Sequence, residues 1–281
     1  MLLPSEEQQA DRHLTQLRGR LVLKRTQTLN QIHKLLRRHN LEWERPTKHI
    51  QTRKVTDWLK TLPLGAMDRL TMNQLLVQWR LWEEQLATID DQIVERFLAN
   101  PDAQLLSTMP GVSMYIALAI ACRIAPIERF PHGRSLANFL GLTPGSRSSG
   151  EAERLGSITK EGSPVVRFLL GQVILHLMRR DSTVKAWYQR IKRRRGSGIG
   201  RVALMRRTAT IMWRMLSKGE RWRPGIFDPE SPEANAPRRG GLRKPSRTML
   251  SALTANAPGL NASSTGSSPL SRRKAKTRCP A

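Results

Sequence analysis

The chain has 281 residues, with 48 Lys and Arg against 22 Asp and Glu, a formal charge of +26. Such a surplus points to a polyanion as partner, nucleic acid first and an anionic membrane surface second. Two cysteines, Cys122 and Cys279, with no Cys-x-x-Cys or Cys/His cluster, argue against a zinc site or a disulfide framework, and no apolar run, Tyr115–Ala121 being the longest, approaches the roughly 20 residues of a membrane span.

Met1–Glu7 shows neither the basic nor the apolar region of a secretory leader, so the chain reads as cytoplasmic. Residues 5–38 read as one long helix. Leu14, Leu17, Leu21, Thr28, Ile32 and Leu35 recur at three- and four-residue steps and are expected inside. Asp11, Arg12, Arg18, Arg20, Lys24 and Arg25 are expected on the opposite, solvated face. Residues 40–67 form a connector holding a short helix between Thr47 and Leu62, with Val55, Trp58, Leu59 and Leu62 inward. Residues 68–99 form a second long helix. Its Leu75, Trp79, Trp82, Leu86, Ile89 and Ile93 step four, three, four, three, four, which is a heptad seam. Residues 1–99 therefore predict an antiparallel coiled-coil hairpin. Its seams close on each other or on another chain, and the tryptophans serve as core packing. A homo-oligomer through this hairpin is the expected self-association.

Asn100-Pro101 opens a second unit, residues 100–223. A short helix over 102–108, Met109-Pro-Gly-Val112 and an Ala-rich helix over 113–124 have the pattern of a helix-hairpin-helix element. There the amides around Gly111 would meet a DNA phosphate; the same residues also fit a plain turn. A short helix over 135–140 leads into Leu140–Gly162, a loop rich in Gly, Ser, Thr, Pro and Lys. Ser163-Pro164 then starts a helix, and residues 165–178 are apolar nearly all round, as for a central buried helix. Residues 181–195 form a helix ending in Lys192-Arg193-Arg194-Arg195. Gly196–Gly200 reads as a flexible turn, and 201–216 as a last helix with Val202, Met205, Ala209, Met212 and Leu216 inward. Residues 224–281 have no periodicity and predict a disordered basic tail, ending in the cluster Arg272–Arg278. The fold class is all-α.

Glu83, Glu84, Asp90, Asp91 and Glu95 lie along one helix, mostly as solvated-face residues, and no strand with an embedded Asp is evident. The chain thus shows no complete acidic metal site and predicts no metal of its own. Gly196-Ser-Gly-Ile-Gly200 follows a basic helix rather than a strand, so it is not a dinucleotide fingerprint. Ser146, Ser148 and Ser149 suit turn chemistry. As nucleophiles they would need activation, and His132 and His176 stand at no motif spacing from them. Arg147, Arg154, Lys160 and Arg167 surround the loop. They either hold a phosphate or form a solvated basic face.

Pro110-Gly-Val, Phe130, Leu136-Ala-Asn-Phe-Leu-Gly-Leu-Thr-Pro144, Ser148-Ser-Gly150, Gly156-Ser-Ile-Thr-Lys160-Glu-Gly162 and Arg167 together resemble the C-terminal transposase domain of the insertion-sequence-one-ten family. This is the family of DEDD transposases and Piv-like DNA invertases, some of them guided by a bridge RNA. Leu17-Arg-x-Arg-x-Leu-Val and Arg25-Thr resemble its coiled-coil segment. The resemblance implies a serine that attacks a DNA phosphate, and the motif points to Ser149, with Ser148 as the fallback. The expected nucleic-acid contacts are Gly111, Arg147, Arg154, Lys160, Arg167, Arg193, Arg194 and Arg195, and the resemblance implies DNA and a guide RNA as partners. Position 163 is Ser where the family more often has Asn. The family's RuvC-like half, whose Asp and Glu hold Mg²⁺, would precede residue 1. The chain is therefore expected to be a truncated, mis-started or decayed copy that binds nucleic acid but does not complete transposition alone. The alternative is a non-catalytic helix-hairpin-helix protein that binds DNA or RNA and regulates intact elements; a third reading is a helical scaffold whose basic tail binds RNA.

Overall fold

The computed structural model describes residues 4–47, 50, 52–149 and 152–223. The expected tail, with Arg272–Arg278, lies outside the described residues. The first helix, α1 (Glu6–Arg38), starts where Ser5 accepts a hydrogen bond from the Gln8 amide at 3.2 Å, with Glu6 and Glu7 in its first turn. It runs to a 3₁₀ turn at Glu42–Glu44 and a short helix, α2 (Arg53–Thr61). The long α3 (Ala66–Ala99) then returns along α1. Ile32, Leu35 and Leu36 of α1, Val55 and Leu59 of α2, and Met72, Leu75 and Leu76 of α3 form one apolar cluster at the closed end, with Trp58 against it. The heptad seam of α3 is inward as expected: Leu75, Trp79, Leu86 and Ile93 are buried, and the seam extends to Phe97.

The outward face expected for α1 is corrected. Asp11 is only 5% exposed, whereas Leu17 is 46% exposed. Asp11, Arg18 and Arg25 recur every seven residues, the repeat of the seam, and so face α3. There Asp11 accepts from Arg96 Nε at 2.6 Å, Asp90 from Arg18 Nε at 2.5 Å, and Glu83 from Arg25 at 3.1 Å. Between these rungs and the apolar end, Trp82 Nε1 donates to Thr28 Oγ1 at 3.2 Å. Asp11, Arg18 and Arg25 each meet an opposite charge, which offsets their desolvation.

Asn100 caps the next helix, α4 (Pro101–Ser107), accepting from the Ala103 amide at 2.9 Å. Then come α5 (Met114–Ile124), α6 (Gly133–Phe139), strands β1 (Pro144–Ser149) and β2 (Ala152–Ile158), α7 (Pro164–Arg180) and α8 (Ser182–Lys218). The buried centre is α5, not α7: Ala117–Cys122 and Ile124 are all buried, Cys122 as a free thiol. Helix α7 buries Val166, Leu169, Leu170, Val173, Ile174 and Leu177 but leaves Phe168 65% exposed. The residues expected to form a loop between α6 and α7 instead pair as an antiparallel ribbon. The fold is otherwise helical. Among the described residues no helix is long and apolar enough to cross a membrane.

The open end of the hairpin is fastened to α5. Arg12 Nε donates to the Cys122 carbonyl at 2.8 Å, Arg123 to Thr15 Oγ1 at 3.0 Å, and Tyr115 OH to the Thr15 carbonyl at 3.2 Å. Arg12 thus satisfies a carbonyl that the last turn of α5 leaves without a helical partner.

The five-residue turn expected at 196–200 shrinks to one residue. Within α8 only Gly196 leaves helical geometry, at φ 85° and ψ 167°, a region essentially reserved for glycine. Beyond it Gly200, Leu204, Thr208, Ile211 and Met215 are buried, so the inward stripe is shifted from the expected one, while Ala209, Met212 and Leu216 are inward as expected.

Two outcomes follow for the hairpin. Asp11→Ala should cost about 1–3 kcal/mol in urea unfolding because the carboxylate is buried and hydrogen-bonded, while Glu83→Ala, in a more exposed pair, should cost under about 1 kcal/mol; equal costs would contradict this ranking. The second concerns pH. Burial first, then Arg45, lowers the pKa of His33 from its ordinary 6.5, against an opposing pull from Glu42. The folded state then binds fewer protons than the unfolded chain, so stability falls as pH drops through that value. The thermal midpoint should decline from about pH 7.5 to about pH 5.5, and His33→Gln should reduce that slope.

Candidate nucleic-acid interface

Strand β1 carries the sequence-predicted serines Ser146, Ser148 and Ser149. The register sets Pro144 against Ile158, Ser146 against Leu155, Arg147 against Arg154, Ser148 against Glu153 and Ser149 against Ala152. Ser149 therefore stands at the last paired position before the strands are joined. The register slips once, between Pro144 and Ser146, where Gly145 alone spans what Gly156 and Ser157 span on β2. Such a bulge bends and twists the ribbon at its base.

Two glycines hold that base to the helices. A Cβ on Gly162 would lie 2.1 Å from the Phe139 carbonyl oxygen, and one on Gly141 2.7 Å from the Glu161 amide nitrogen. The chain entering the ribbon and the chain leaving it thus touch backbone to backbone. The Thr159 amide donates to Thr143 O at 3.0 Å and the Lys160 amide to Gly141 O at 3.3 Å. Gly141 has φ +64° and Lys160 φ +59°, both left-handed. Arg167, in the first turn of α7, donates to the carbonyls of Leu140 at 3.2 Å and Gly162 at 2.5 Å. Arg167 therefore acts as a clamp on the base of the ribbon. Gly111 also has a packing reason: a Cβ there would lie 2.4 Å from the Cβ of His176 in α7. Lys160 is exposed at the same base, whereas the Arg147 and Arg154 side chains lie outside the description.

The cations divide into two populations. In the hairpin, Arg12, Arg18, Arg25, Arg38 and Arg96 are held by protein partners, Arg38 by Asp68. Helix α8 has no acid anywhere along its length. Its first half carries Lys185, Arg190, Lys192, Arg193, Arg194 and Arg195, all exposed, and none forms an ion pair with a described residue. Arg193, Arg194 and Arg195 were legible as a run. What the sequence reading missed is an open groove of about 300 Å³ beside them, lined by Thr183, Ala186, Trp187, Arg190 and Arg193. Its signal was a Trp three residues before an Arg on the same helical face.

The acids do not fit a metal. Glu83 and Asp90, expected on a solvated face, are rungs of the hairpin ladder. Burial, and then the nearby charge of Glu128, pushes the Asp102 carboxyl above its ordinary value. Yet among the described residues no three His, Cys, Asp or Glu side chains converge as a metal site would require.

Comparison with known proteins bears on this arrangement directly. Residues 103–189 match the model of the Transposase IS116/IS110/IS902 family. That segment is similar to this transposase family. The chain is 29% identical over 225 residues to the transposase for insertion sequence element IS1111A of Coxiella burnetii, covering 78% of this chain and 62% of that protein. It is 29% identical over 227 residues to a probable family 20 transposase of Pseudomonas aeruginosa, covering 79% and 67%. It is also 26% identical over 219 residues to the transposase for insertion sequence element IS1328 of Yersinia enterocolitica, covering 76% and 65%. The chain thus spans about two thirds or less of the length of these relatives. The family segment runs from α4 through the ribbon and α7 to the first turns of α8. It includes Gly141, Gly162, Arg167 and Trp187, and Arg193–Arg195 follow just after it.

The ribbon base gives the expected outcome for this segment. Gly162→Ala should destabilise the protein by about 2–4 kcal/mol in thermal or urea unfolding, because the added methyl meets backbone that cannot yield. Gly171→Ala in α7, where nothing lies within 4 Å of the added carbon, should be neutral or slightly stabilising.

Proposed function

We propose that this chain is the serine-bearing, DNA-binding part of an insertion-sequence transposase. The observation that carries the reading is the clamped ribbon within the family segment, with Ser149 at its last paired position and Ser148 one before it. A nucleophile needs a fixed approach to its target, and a glycine-closed base clamped by Arg167 supplies one.

In this reading the Ser149 Oγ attacks a DNA phosphorus, and Ser148 is the fallback. The new Oγ–P bond forms as a phosphodiester P–O bond of the backbone breaks. The serine proton passes to a base, and the released sugar hydroxyl takes up a proton. The product is a phosphoserine link, which the hydroxyl of another strand reverses, so that strands are exchanged. Lys160, Arg147 and Arg154 neutralise charge on the phosphate oxygens, and Arg193, Arg194 and Arg195 hold flanking backbone. The Mg²⁺ of the related RuvC-like half does not fit the acids of the described residues. On this reading an acidic partner domain has to be supplied, and DNA, together with a guide RNA, is the substrate in the cytoplasm.

Self-association through the hairpin is part of the same proposal. Met67, Leu70, Val77 and Leu81 line the outside of α3 at heptad-compatible spacing and are exposed. The second reading, a non-catalytic regulator that binds DNA or RNA, is favoured by the acid-free α8, which would bind without a serine.

The test supplies the acidic domain in trans and measures strand exchange on a plasmid carrying element ends. Ser149→Ala should abolish exchange and the covalent protein–DNA adduct while DNA binding stays within about twofold. Loss in Ser148→Ala alone would move the nucleophile to Ser148. Unchanged exchange in both variants would leave the regulator reading standing.

A further inference from the structure

We infer that the first half of α8 is a stacking site for an unpaired nucleotide, with Trp187 as the platform and Arg190 and Arg193 holding the adjoining phosphates. The inference rests on the nucleic-acid binding proposed above and adds the kind of strand recognised. Thr183, Trp187 and Arg190 follow at steps of four and three, and Ala186 and Arg193 lie seven apart, so all five share one helical face. With a rise of 1.5 Å per residue, Arg190 and Arg193 stand about 4.5 and 9 Å from Trp187 along the axis. That spacing places two exposed cations beside one aromatic plane.

The groove is open, and the small Ala186 side chain leaves space beside the indole. The platform itself is anchored. Val184 and Tyr188, on the opposite side, are buried, and Gly200 packs against the Tyr188 ring from beyond the Gly196 break. Thr183 is tied to the helix start, donating to Asp181 Oδ1 at 2.6 Å.

Three of the other tryptophans do not offer this. Trp79 is buried in the seam, and the Trp82 ring already carries the Lys24 ammonium at 4.9 Å. Trp43 is 93% exposed but sits between Glu42 and Glu44, whose charges repel a phosphate chain. Trp187 alone among these combines partial exposure with unpaired cations on its own face. Bases within a duplex already stack on their neighbours and hide their faces. An indole beside two arginines therefore favours a single strand, where each base has a free face.

The test measures anisotropy of a labelled single-stranded oligonucleotide, as DNA and as RNA, against a blunt duplex of the same sequence, with the full chain at about 0.2 M salt. Trp187→Leu should weaken single-strand binding roughly tenfold without changing its salt slope, and duplex binding less than about twofold. Trp187→Phe should recover most of the loss. Arg190→Gln with Arg193→Gln should lower the single-strand salt slope by about 1.4. Whichever single strand, DNA or RNA, shows the larger Trp187 effect is the source of the nucleotide.

A second measurement needs no variant. Cross-linking a bromouracil-bearing strand to the unaltered protein should place an adduct on the peptide containing Trp187. Adducts only elsewhere, equal losses for single strand and duplex, or no loss in Trp187→Leu would overturn the inference. Failure of the wild-type chain to bind any nucleic acid would instead overturn the reading on which it rests.

Discussion

The site depends on one approach of backbone to backbone. The chain enters the ribbon at Gly141 and leaves it at Gly162, and at both points there is no room for a Cβ. Everything that gives the serines a fixed place follows from that contact. The left-handed Gly141 and Lys160 turn the chain, two amide–carbonyl bonds close it, and Arg167 joins it to α7. The ribbon is polar and two-stranded, a combination that is marginal by itself in water. Mounted on this base, it becomes an extension of the helical core. The Gly-Leu-Thr-Pro and Lys-x-Gly sequences thus describe a joint.

The second organising fact is how the positive charge is distributed. Arginine in the hairpin is structural: it crosses between α1 and α3, or caps a carbonyl at the end of α5. Lys185, Arg190 and Lys192–Arg195 in the first half of α8 form no ion pair with a described residue. A formal charge of +26 does not by itself locate an interface, but sorting cations by whether the fold already occupies them does. Among the cations expected at the interface, the sort leaves Lys160 at the ribbon base and Arg193–Arg195 on α8 open to a polyanion.

Much of this was legible in the sequence where apolar residues carried the signal. The α3 seam, the closed end of the hairpin, the helix break at Asn100-Pro101 and the caps at Ser5 and Ser163 read correctly, because burial and capping leave short local patterns. Three features did not read. Asp11, Arg18 and Arg25 looked like a solvated face, because polarity alone does not reveal a partner about seventy residues away. The ribbon looked like a loop, since strands made largely of Ser, Gly and Arg lack an apolar alternation. Helix α7 looked buried all round, yet nothing described covers Phe168. In the site, the residues of Ser148–Ser149 and Arg193–Arg195 were visible as motif and charge run. The clamp role of Arg167 and the groove beside Trp187 needed tertiary geometry.

The hairpin ladder has a further property that lies in its signs. Its first rung runs acid to base, Asp11 to Arg96, while the next two run base to acid, Arg18 to Asp90 and Arg25 to Glu83. Seven-residue repeats invite a slip by one repeat, because the apolar seam alone accepts it nearly as well. Slipped one way, Asp11 would face Asp90; slipped the other, Arg18 would face Arg96. The single inverted rung therefore works like a parity bit, rejecting both misreadings of an otherwise repetitive message and setting where the open end of the hairpin meets α5.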